Sequence, residues 1–567
     1  MATEDLVTEQ FQFLGIEVSN EVLRKCVSLC EEYDVDAETF IEQWMAFSLN
    51  NLNGASPSVE NLETLARKEF SKNLSNRVTA ATRPAVRASA GTTVPFVTPV
   101  ATQPDNDLLS NYVDSSSKRL KTEDSTTNNS EAPLSPVSAK YKSRSNAGAV
   151  VTSYGEESLL EIIDKPHGPD ILDLNITQVP NDDGKLYTKS LYGFEMLHEK
   201  ASIFDDHIQY ISKCIMKKAG ITETTSVRHK TQNEVFVAGR IECDADARLN
   251  PKSVILQGTW ETSLSQTVAL DLDNVQQYSV FPGQVVVARG NNPRGDRFIA
   301  SQLYTDAHIP PDDKAVYSFT GTVSILAASG PYTTSDNLAY EPLKDLITYI
   351  NTNRPHVVVM TGPFMDSEHA LIKNNTLMET FKTVFEKLID SLGDISTTSP
   401  FTKIYIVSSQ KDAFHHNIYP TPPYSTRRKY ANIQFVPDPC TLNIGGCLVG
   451  VTSTDVIMQL SQEEISHGPC GDRLSRLPSL VLQQRCWSPL ASRRDAALWA
   501  HHAMINATPR VVLLPNNFRY FIKDVHGCLV INPEHLTKGS GGGTFARILI
   551  SNDGDNNKKT AAQIVRI

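Results

Sequence analysis

The chain has 567 residues, 40% of them hydrophobic, which predicts about three or four folded units with apolar cores. Its net charge of −11 argues against a large exposed nucleic-acid track, although it leaves a local basic patch open. The nine cysteines show no zinc-type spacing, so we expect a reduced intracellular compartment. The first ten residues are polar and acidic, unlike a signal peptide, and no apolar run approaches the roughly 20 residues that span a bilayer.

Residues 1–75 are predicted to form a small helical module that serves protein contacts. Its first apolar face is made by residues at helical spacing: Leu23, Cys26, Val27 and Cys30. Because the two cysteines lie on this face, we assign them to packing. Further apolar clusters at residues 40–47 and 59–70 predict additional helices.

Residues 76–150 are rich in Ser, Thr, Pro, Ala and Asn and lack apolar periodicity, which predicts a disordered linker. A basic run in this stretch is a candidate nuclear-import signal, the alternative being a solvated charge run. The run consists of Lys118, Arg119 and Lys121. Two residues that precede proline are candidate phosphorylation sites: Thr98 and Ser135.

Residues 155–229 predict a mainly helical lead-in, in which 192–219 carries an apolar stripe of isoleucines. Residues 230–310 then change to alternating apolar and polar positions. Short strands predicted at 234–243, 253–257, 267–272, 284–289 and 297–303 indicate a closed barrel of the OB type.

An OB barrel can bind single-stranded nucleic acid by stacking bases on aromatic rings beside basic groups. The candidates for such a role are Trp260, Phe298, Arg289, Arg294 and Arg297. The alternative, which we favour, is that the aromatics belong to the core and that residues 291–297 form a solvated loop.

Residues 315–567 alternate strands and helices and predict an α/β domain with a central sheet. Catalytic groups of such sheets lie on loops just past the strand ends. The residues found there are Ser329, Pro331, Pro363, Gln410, Lys411, Asn516 and Phe518. Only Asp366 offers a carboxylate among these strings, whereas a two-metal site needs several oxygen or imidazole ligands.

The strand order and loop positions resemble the calcineurin-like phosphoesterases, whose metal ligands lie in D-x-H, G-D-x-x-D, G-N-H and G-H-x-H loops. Here Pro363 occupies the place of the bridging Asp, and Lys411 that of the catalytic His. We therefore predict that the domain holds no catalytic metal. Two adjacent histidine pairs, 415–416 and 501–502, face different directions and form no natural chelate. Gly541, Gly542 and Gly543 predict a tight turn into a strand, and the stretch lacks the phosphate-loop pattern.

The whole arrangement resembles the B subunits of eukaryotic replicative DNA polymerases, and most closely those of DNA polymerase alpha–primase. The resemblance is carried by four passages, at residues 328–343, 362–369, 415–424 and 532–548. The fold class it implies is multidomain α+β, with an N-terminal helical module, an OB-type barrel and an inactive α/β calcineurin-like phosphoesterase domain at 315–567.

The resemblance implies a non-enzymatic regulatory or scaffold subunit in the nucleus, without a cofactor. Its expected partners are the C-terminal domain of the polymerase catalytic subunit, the primase subunits through the complex, and other replication factors through the N-terminal module. DNA contact is expected to be mainly indirect, and no membrane contact is expected. Two alternatives stay open: an active metallophosphoesterase with a rearranged site, and a single-strand DNA-binding OB protein.

Overall fold

The computed structural model describes residues 20–33, 40, 61–62, 139–168, 174–179, 192–374, 377–490, 496–554 and 558–567. These residues fall into two compact units that divide between Gln103 and Pro104. Within the described ranges, no helix is both long and apolar enough to cross a membrane.

The described helices, in chain order, are α1 (Asn20–Tyr33), α2 (Ala139–Lys142), α3 (Glu157–Ile163), α4 (Leu197–Ala219), α5 (Trp260–Ser263), α6 (Glu341–Asn353), α7 (Ala370–Lys373), α8 (Phe381–Gly393), α9 (Ile395–Thr398), α10 (Val456–Glu463), α11 (Arg473–Gln483) and α12 (Ala496–His502). The strands before the α/β part are β1 (Val150–Tyr154), β2 (Ile176–Gln178), β3 (Thr231–Cys243), β4 (Val254–Gln257), β5 (Thr267–Asp271), β6 (Tyr278–Val280), β7 (Val285–Asn292) and β8 (Arg297–Tyr304). The remaining strands are β9 (Gly321–Ser329), β10 (Val357–Thr361), β11 (Lys403–Val407), β12 (Ile433–Val436), β13 (Cys440–Ile444), β14 (Cys447–Val451), β15 (Ile465–His467), β16 (Val511–Leu513), β17 (Phe521–Val525), β18 (Cys528–Asn532), β19 (Thr537–Lys538), β20 (Gly541–Gly542), β21 (Thr544–Asn552) and β22 (Lys558–Arg566).

The first unit contains α1, whose apolar face is buried as its spacing predicts. Cys26 and Cys30 are 0% and 2% exposed, so both are packing residues. Burial raises the pKa of the Cys26 thiol to about 12, so the thiol stays protonated and unreactive. Phe40 and Leu62 are also buried. The rest of the predicted module at 1–75 lies outside the described residues.

Five strands of the second unit close a barrel in the order β3-β4-β5-β8-β7. The pair β5 and β8 is parallel, whereas the other neighbours are antiparallel. Alternate residues of these strands, such as Val237, Leu256 and Phe298, fill the interior. The predicted OB-type barrel is confirmed, although β3 begins three residues earlier and β7 ends three residues later than the alternation predicts.

Two sheets stack face to face in the remainder of the second unit. One has the order β1-β22-β21-β9-β10-β11-β12, the other β17-β18-β16-β14-β13-β2. Strands β9 to β12 are parallel in the first sheet, as are β14, β16 and β18 in the second. Every residue of β10 is buried, because the opposite sheet covers one face and helices cover the other.

Three apolar cores hold these layers together. The inner faces of both sheets share one core, which includes Ile325 and Leu513. The outer face of the first sheet packs on α6 and α8 through residues such as Leu346 and Phe385. The outer face of the second packs on α10 and α11. The mixed α/β prediction is confirmed, but the single central sheet is wrong, because the strands divide into two stacked sheets that form a four-layer sandwich with helices on both outer faces.

Helix α4 and the end of α11 attach the barrel to this sandwich. Ile208, Ile211 and Ile215 of α4 pack on the outside of β3 and β7. The side chain of Gln484 accepts from the Val285 amide at 2.9 Å and donates to the Val285 carbonyl at 3.1 Å. Strand β6, beside the barrel, pairs with β15 of the sandwich. Helix α4 begins at Leu197, later than the sequence predicts. The reason is that the Glu199 side chain folds back and accepts from the Met196 amide at 2.8 Å, which caps the helix there.

The stretch from 139 to 154 differs from the sequence prediction. Tyr141 is 1% exposed, and its hydroxyl donates to Asp345 at 2.8 Å. Strand β1 pairs with the C-terminal strand β22 at the edge of the first sheet. The predicted linker at 76–150 therefore does not extend through residues 139–150, which belong to the fold. The predicted helical lead-in at 155–229 likewise contains one strand, β2, which adds to the second sheet.

Candidate functional site

The strand ends that would carry a catalytic site do meet at one edge of the sandwich. The Gly330 amide after β9 donates to the Thr361 carbonyl at the end of β10, at 2.9 Å. Across the two sheets, the Ser453 hydroxyl donates to the Ser408 carbonyl at 2.7 Å. The sequence thus placed these loops correctly at a shared edge, where the ligands of a metal site would have to converge.

The loops at this edge are packed in direct contact. A Cβ atom added at Gly330 would lie 2.0 Å from the Pro363 carbonyl oxygen. One added at Gly362 would lie 2.5 Å from the Tyr424 hydroxyl. Since both distances are far below van der Waals contact, glycine is required at these two positions for the loops to approach each other. Backbone and a tyrosine ring fill the edge between β9 and β11.

Asp412 is a carboxylate buried in this edge, at 3% exposure. It accepts from the amides of Phe364 and Met365 at 2.8 and 2.6 Å and from the Tyr424 hydroxyl. Burial raises the pKa of Asp412 to about 7, although these hydrogen bonds act in the opposite direction. Both carboxylate oxygens of Asp412 therefore accept hydrogen bonds that order the loop after β10.

The interpretation of Asp366 as the only carboxylate of these loops is wrong. Asp366 is half-exposed and accepts from the Glu368 amide at 3.0 Å, while Asp412 lies beneath it. Two further buried carboxylates are Asp438 and Asp455. Asp438 accepts from the hydroxyls of Thr452, Ser453 and Thr454. Burial raises the pKa of both. These carboxylates tie loops together instead of facing a common centre.

His535 is a member of this edge that the sequence did not single out. Its Nδ1 lies 2.6 Å from the Gly330 carbonyl oxygen, and its Nε2 lies 3.0 Å from Oδ1 of Asn517. Burial and the nearby charge of Lys411 lower the pKa of His535 to about 4. The lowered pKa keeps the ring neutral, so only one of its nitrogens carries a hydrogen, and the imidazole bridges the loops of Gly330 and Asn517. In the sequence, His535 falls within the passage at 532–548 that carries the family resemblance.

Lys411 is exposed at this edge, and its charge reaches both His535 and Asp455. An ammonium group here repels a divalent cation. Across the described ranges, no group of three or more His, Cys, Asp or Glu side chains is arranged to hold a metal ion. Chemically, the edge offers hydrogen-bonded ties between loops and an exposed ammonium group, an arrangement suited to holding loops together.

In each histidine pair one ring is buried or half-buried and the other is exposed. His415 Nε2 lies 2.7 Å from the Pro422 carbonyl oxygen, while His416 is exposed. His501 and His502 follow one another at the end of α12, and burial lowers the pKa of His502 to about 4. The predicted tight turn at 541–543 is wrong in position: Gly541 and Gly542 form β20, which pairs with β19, and the turn between these strands lies at Gly539 and Ser540.

The candidates on the barrel are not brought together into one binding face. Phe298 is 0% exposed and belongs to the barrel core, so it cannot stack on a base. Arg289 pairs with Glu234 at 2.6 Å, and Arg297 pairs with Asp271 at 3.3 Å. Trp260 is exposed, and Arg294 lies in the loop between β7 and β8. The import run at Lys118, Arg119 and Lys121 and the phosphorylation candidates Thr98 and Ser135 lie outside the described residues.

Comparison with known proteins gives consistent matches along the chain. The family described as the B subunit of DNA polymerases alpha and epsilon matches residues 325–523. Two families described as the OB domain and the N-terminal region of the DNA polymerase alpha B subunit match 201–306 and 4–72. The DNA polymerase alpha B subunit of Mus musculus is 31% identical over 607 aligned residues, which cover 100% of both chains. That of Drosophila melanogaster is 31% identical, covering 97% of this chain and 96% of the relative. A solved Vps29 structure from Entamoeba histolytica aligns with a TM-score of only 0.22 and 12% identity over 43% of this chain and 98% of that one, which is too low to bear on the fold.

Proposed function

Because this chain belongs to the family of DNA polymerase alpha B subunits, we propose that it is the non-catalytic regulatory and scaffold subunit of a DNA polymerase alpha–primase complex. In that role it supports primer synthesis at the initiation of DNA replication. The observation that carries the non-catalytic part is the state of the strand-end edge. There, Asp412, Asp438 and Asp455 accept internal hydrogen bonds, and the exposed Lys411 adds a positive charge that would repel a cation.

The sandwich is proposed to be an inactive calcineurin-like phosphoesterase domain. Its support is the stack of two mixed sheets with helices outside and the convergence of the strand-end loops at one edge. The proposed domain division is 1–75, 76–138, 139–229, 230–310 and 315–567, in which the second segment is the linker. The boundary near 139 follows the buried Tyr141 and strand β1, which join the C-terminal part of the fold.

The proposed partner is the catalytic subunit of the polymerase, bound through its C-terminal domain, with the primase subunits joined through the complex. Support comes from the length of the family match, which in the mouse relative covers the whole of both chains. The helical module at 1–75 is proposed to bind other replication factors, because compact helical modules of this kind often serve protein contacts. A nuclear location follows from this role, with Lys118, Arg119 and Lys121 as the import signal.

A second candidate function is single-strand DNA binding by the barrel, which the exposure of Trp260 would favour. Against it, Phe298 is buried and the two arginines on the strands are paired with acids. Weak or absent binding of an oligothymidine by the isolated chain at low salt supports the scaffold role. Tight binding with a steep salt dependence would support the barrel as a DNA site.

The non-catalytic proposal is tested by elemental analysis and turnover on the full chain. We expect no stoichiometric manganese, iron or zinc, and no hydrolysis of phosphodiesters with added manganese. Asp366→Ala should cause at most a small loss of stability. Near-stoichiometric metal together with hydrolysis that Asp366→Ala abolishes would instead establish an active phosphoesterase.

A further inference from the structure

Large apolar side chains are exposed where the barrel meets the first turns of α4. Trp260 is 64% exposed, Leu264 62% and Leu197 88%. Exposed apolar groups bordered by polar residues mark interaction sites more often than chance. Tryptophan in particular is enriched among the residues that dominate binding energy at protein interfaces. The scaffold role proposed above assigns no use to this group.

These side chains lie on two elements that are joined directly. The Trp260 amide, at the start of α5, donates to Asp205 of α4 at 2.6 Å. Leu197, Ala201 and Asp205 follow at intervals of four on α4, so they lie along one side of the helix over about 12 Å. We call the set Leu197, Asp205, Asp206, Trp260, Glu261 and Leu264 the Trp260 surface.

The short helix α5, which carries Trp260, is held in place by local contacts. The Thr259 hydroxyl caps α5 by accepting from the Thr262 amide at 3.2 Å. A Cβ at Gly258 would lie 2.4 Å from the Ser263 hydroxyl, so the chain enters α5 in close contact with its own end. Leu264 ends the turn at φ 53, a left-handed conformation that a branched apolar residue rarely adopts. An exposed tryptophan on a backbone that is already ordered loses little conformational entropy when a partner binds.

The charge around Trp260 is acidic. The Trp260 surface contains three carboxylates, of which Asp206 and Glu261 are exposed. Two cations flank it: Lys200 lies 3.9 Å from Glu195, and Arg228 donates to the neutral Thr267 carbonyl at 2.8 Å, so the three carboxylates of the surface outnumber them. A phosphate backbone would be repelled here, whereas a basic peptide is attracted.

We propose that the Trp260 surface docks a basic amphipathic helix of a partner protein, with Trp260 and Leu264 against the apolar face and Asp206 and Glu261 against flanking lysines or arginines. The mode is that of a helix laid along an apolar surface, read through side chains three and four residues apart. This inference does not rest on the proposed complex, since it follows from exposure and charge alone.

The test uses the full chain and two fluorescent synthetic helices of about 14 residues, long enough to span roughly 21 Å. One carries leucines at helical spacing with flanking lysines, and the other has the same leucines with glutamate in place of each lysine. Fluorescence anisotropy should show binding of the basic helix, weakened by added salt, and at least about tenfold weaker binding of the acidic helix.

Three variants locate the site. Trp260→Ala should weaken binding of the basic helix at least about tenfold. Asp206→Lys combined with Glu261→Lys should reverse the preference toward the acidic helix. Met378→Ala removes another fully exposed apolar side chain and should leave binding unchanged. Thermal melts of each variant establish that it is folded.

Other occupants give distinct results. If the basic helix does not bind the wild type, or binds Trp260→Ala equally well, the proposal is overturned. Displacement of the helix by an oligothymidine of similar length would assign the surface to nucleic acid. Concentration-dependent self-association that Trp260→Ala abolishes would assign it to a second copy of the chain, and each of these results also overturns the proposal.

Discussion

Substitution of Asp412 by asparagine should remove a defined pH dependence from the stability of the sandwich. The folded pKa of Asp412 is raised from 3.8 to about 7, so the folded chain holds this proton more tightly than the unfolded chain. The contribution of Asp412 to stability is therefore greatest below about pH 4, falls as the pH rises toward about 7, and is constant above that range. At about 1.4 kcal/mol for each pKa unit, the loss between about pH 5 and about pH 8 is roughly 3 kcal/mol.

The measurement is chemical denaturation of both proteins at the two pH values. Other buried groups titrate as well, so the quantity of interest is the difference between wild type and Asp412→Asn. We expect the wild type to lose roughly 3 kcal/mol more than the variant on going from about pH 5 to about pH 8. Glu368→Gln, at a nearby exposed carboxylate, is the matched control and should keep the wild-type slope.

Two results would refute this reasoning. Equal slopes for wild type and Asp412→Asn would mean that Asp412 does not carry a raised pKa. Stabilisation of the wild type by added manganese, absent in Asp412→Asn, would mean that the carboxylate is a metal ligand instead of a tie between loops.

Three further predictions concern other parts of the chain. Gln484→Leu leaves a buried barrel amide without its acceptor and should lower the unfolding free energy by about 1–3 kcal/mol, measured by denaturation against the exposed control Gln302→Leu. His535→Gln should reduce the loss of stability between about pH 6.5 and about pH 4. The folded pKa of His535 is lowered to about 4, so the unfolded chain binds a proton first and the fold loses stability as the pH falls through this window. An unchanged pH profile would contradict the role of His535 as a neutral bridge between loops. Substitution of Lys118, Arg119 and Lys121 by alanine should reduce the nuclear fraction of the free subunit in a fluorescence assay. An unchanged location would count against the import signal.

The barrel and the sandwich strands were predictable because their signals are local. The patterns of β3, β4, β5, β7 and β8 and mainly apolar runs such as β10 indicate burial over four to thirteen residues, whatever lies elsewhere in the chain. Strand β1 had no such signal. It exists because it pairs with β22, more than 400 residues away, and Tyr141 is buried for the same reason. Composition therefore classed residues 139–150 with the linker.

At the strand-end edge, local sequence likewise failed to predict the placement of single side chains. The sequence correctly predicted which loops meet, because the ends of parallel strands share an edge. It could not predict that Asp412 would be buried and Asp366 half-exposed. That choice depends on the amides of Phe364 and Met365 and on Tyr424, which only the folded loops bring together.

The central claim is membership of a polymerase alpha–primase complex, and the most direct measurement is co-purification. Tagged full-length chain isolated from nuclear extract at moderate salt should bring down the polymerase catalytic subunit and both primase subunits, identified by mass spectrometry. Obligate interfaces commonly bury above about 2,000 Å², so the complex should survive that salt. Recovery of the tagged chain without any polymerase or primase subunit would contradict the account.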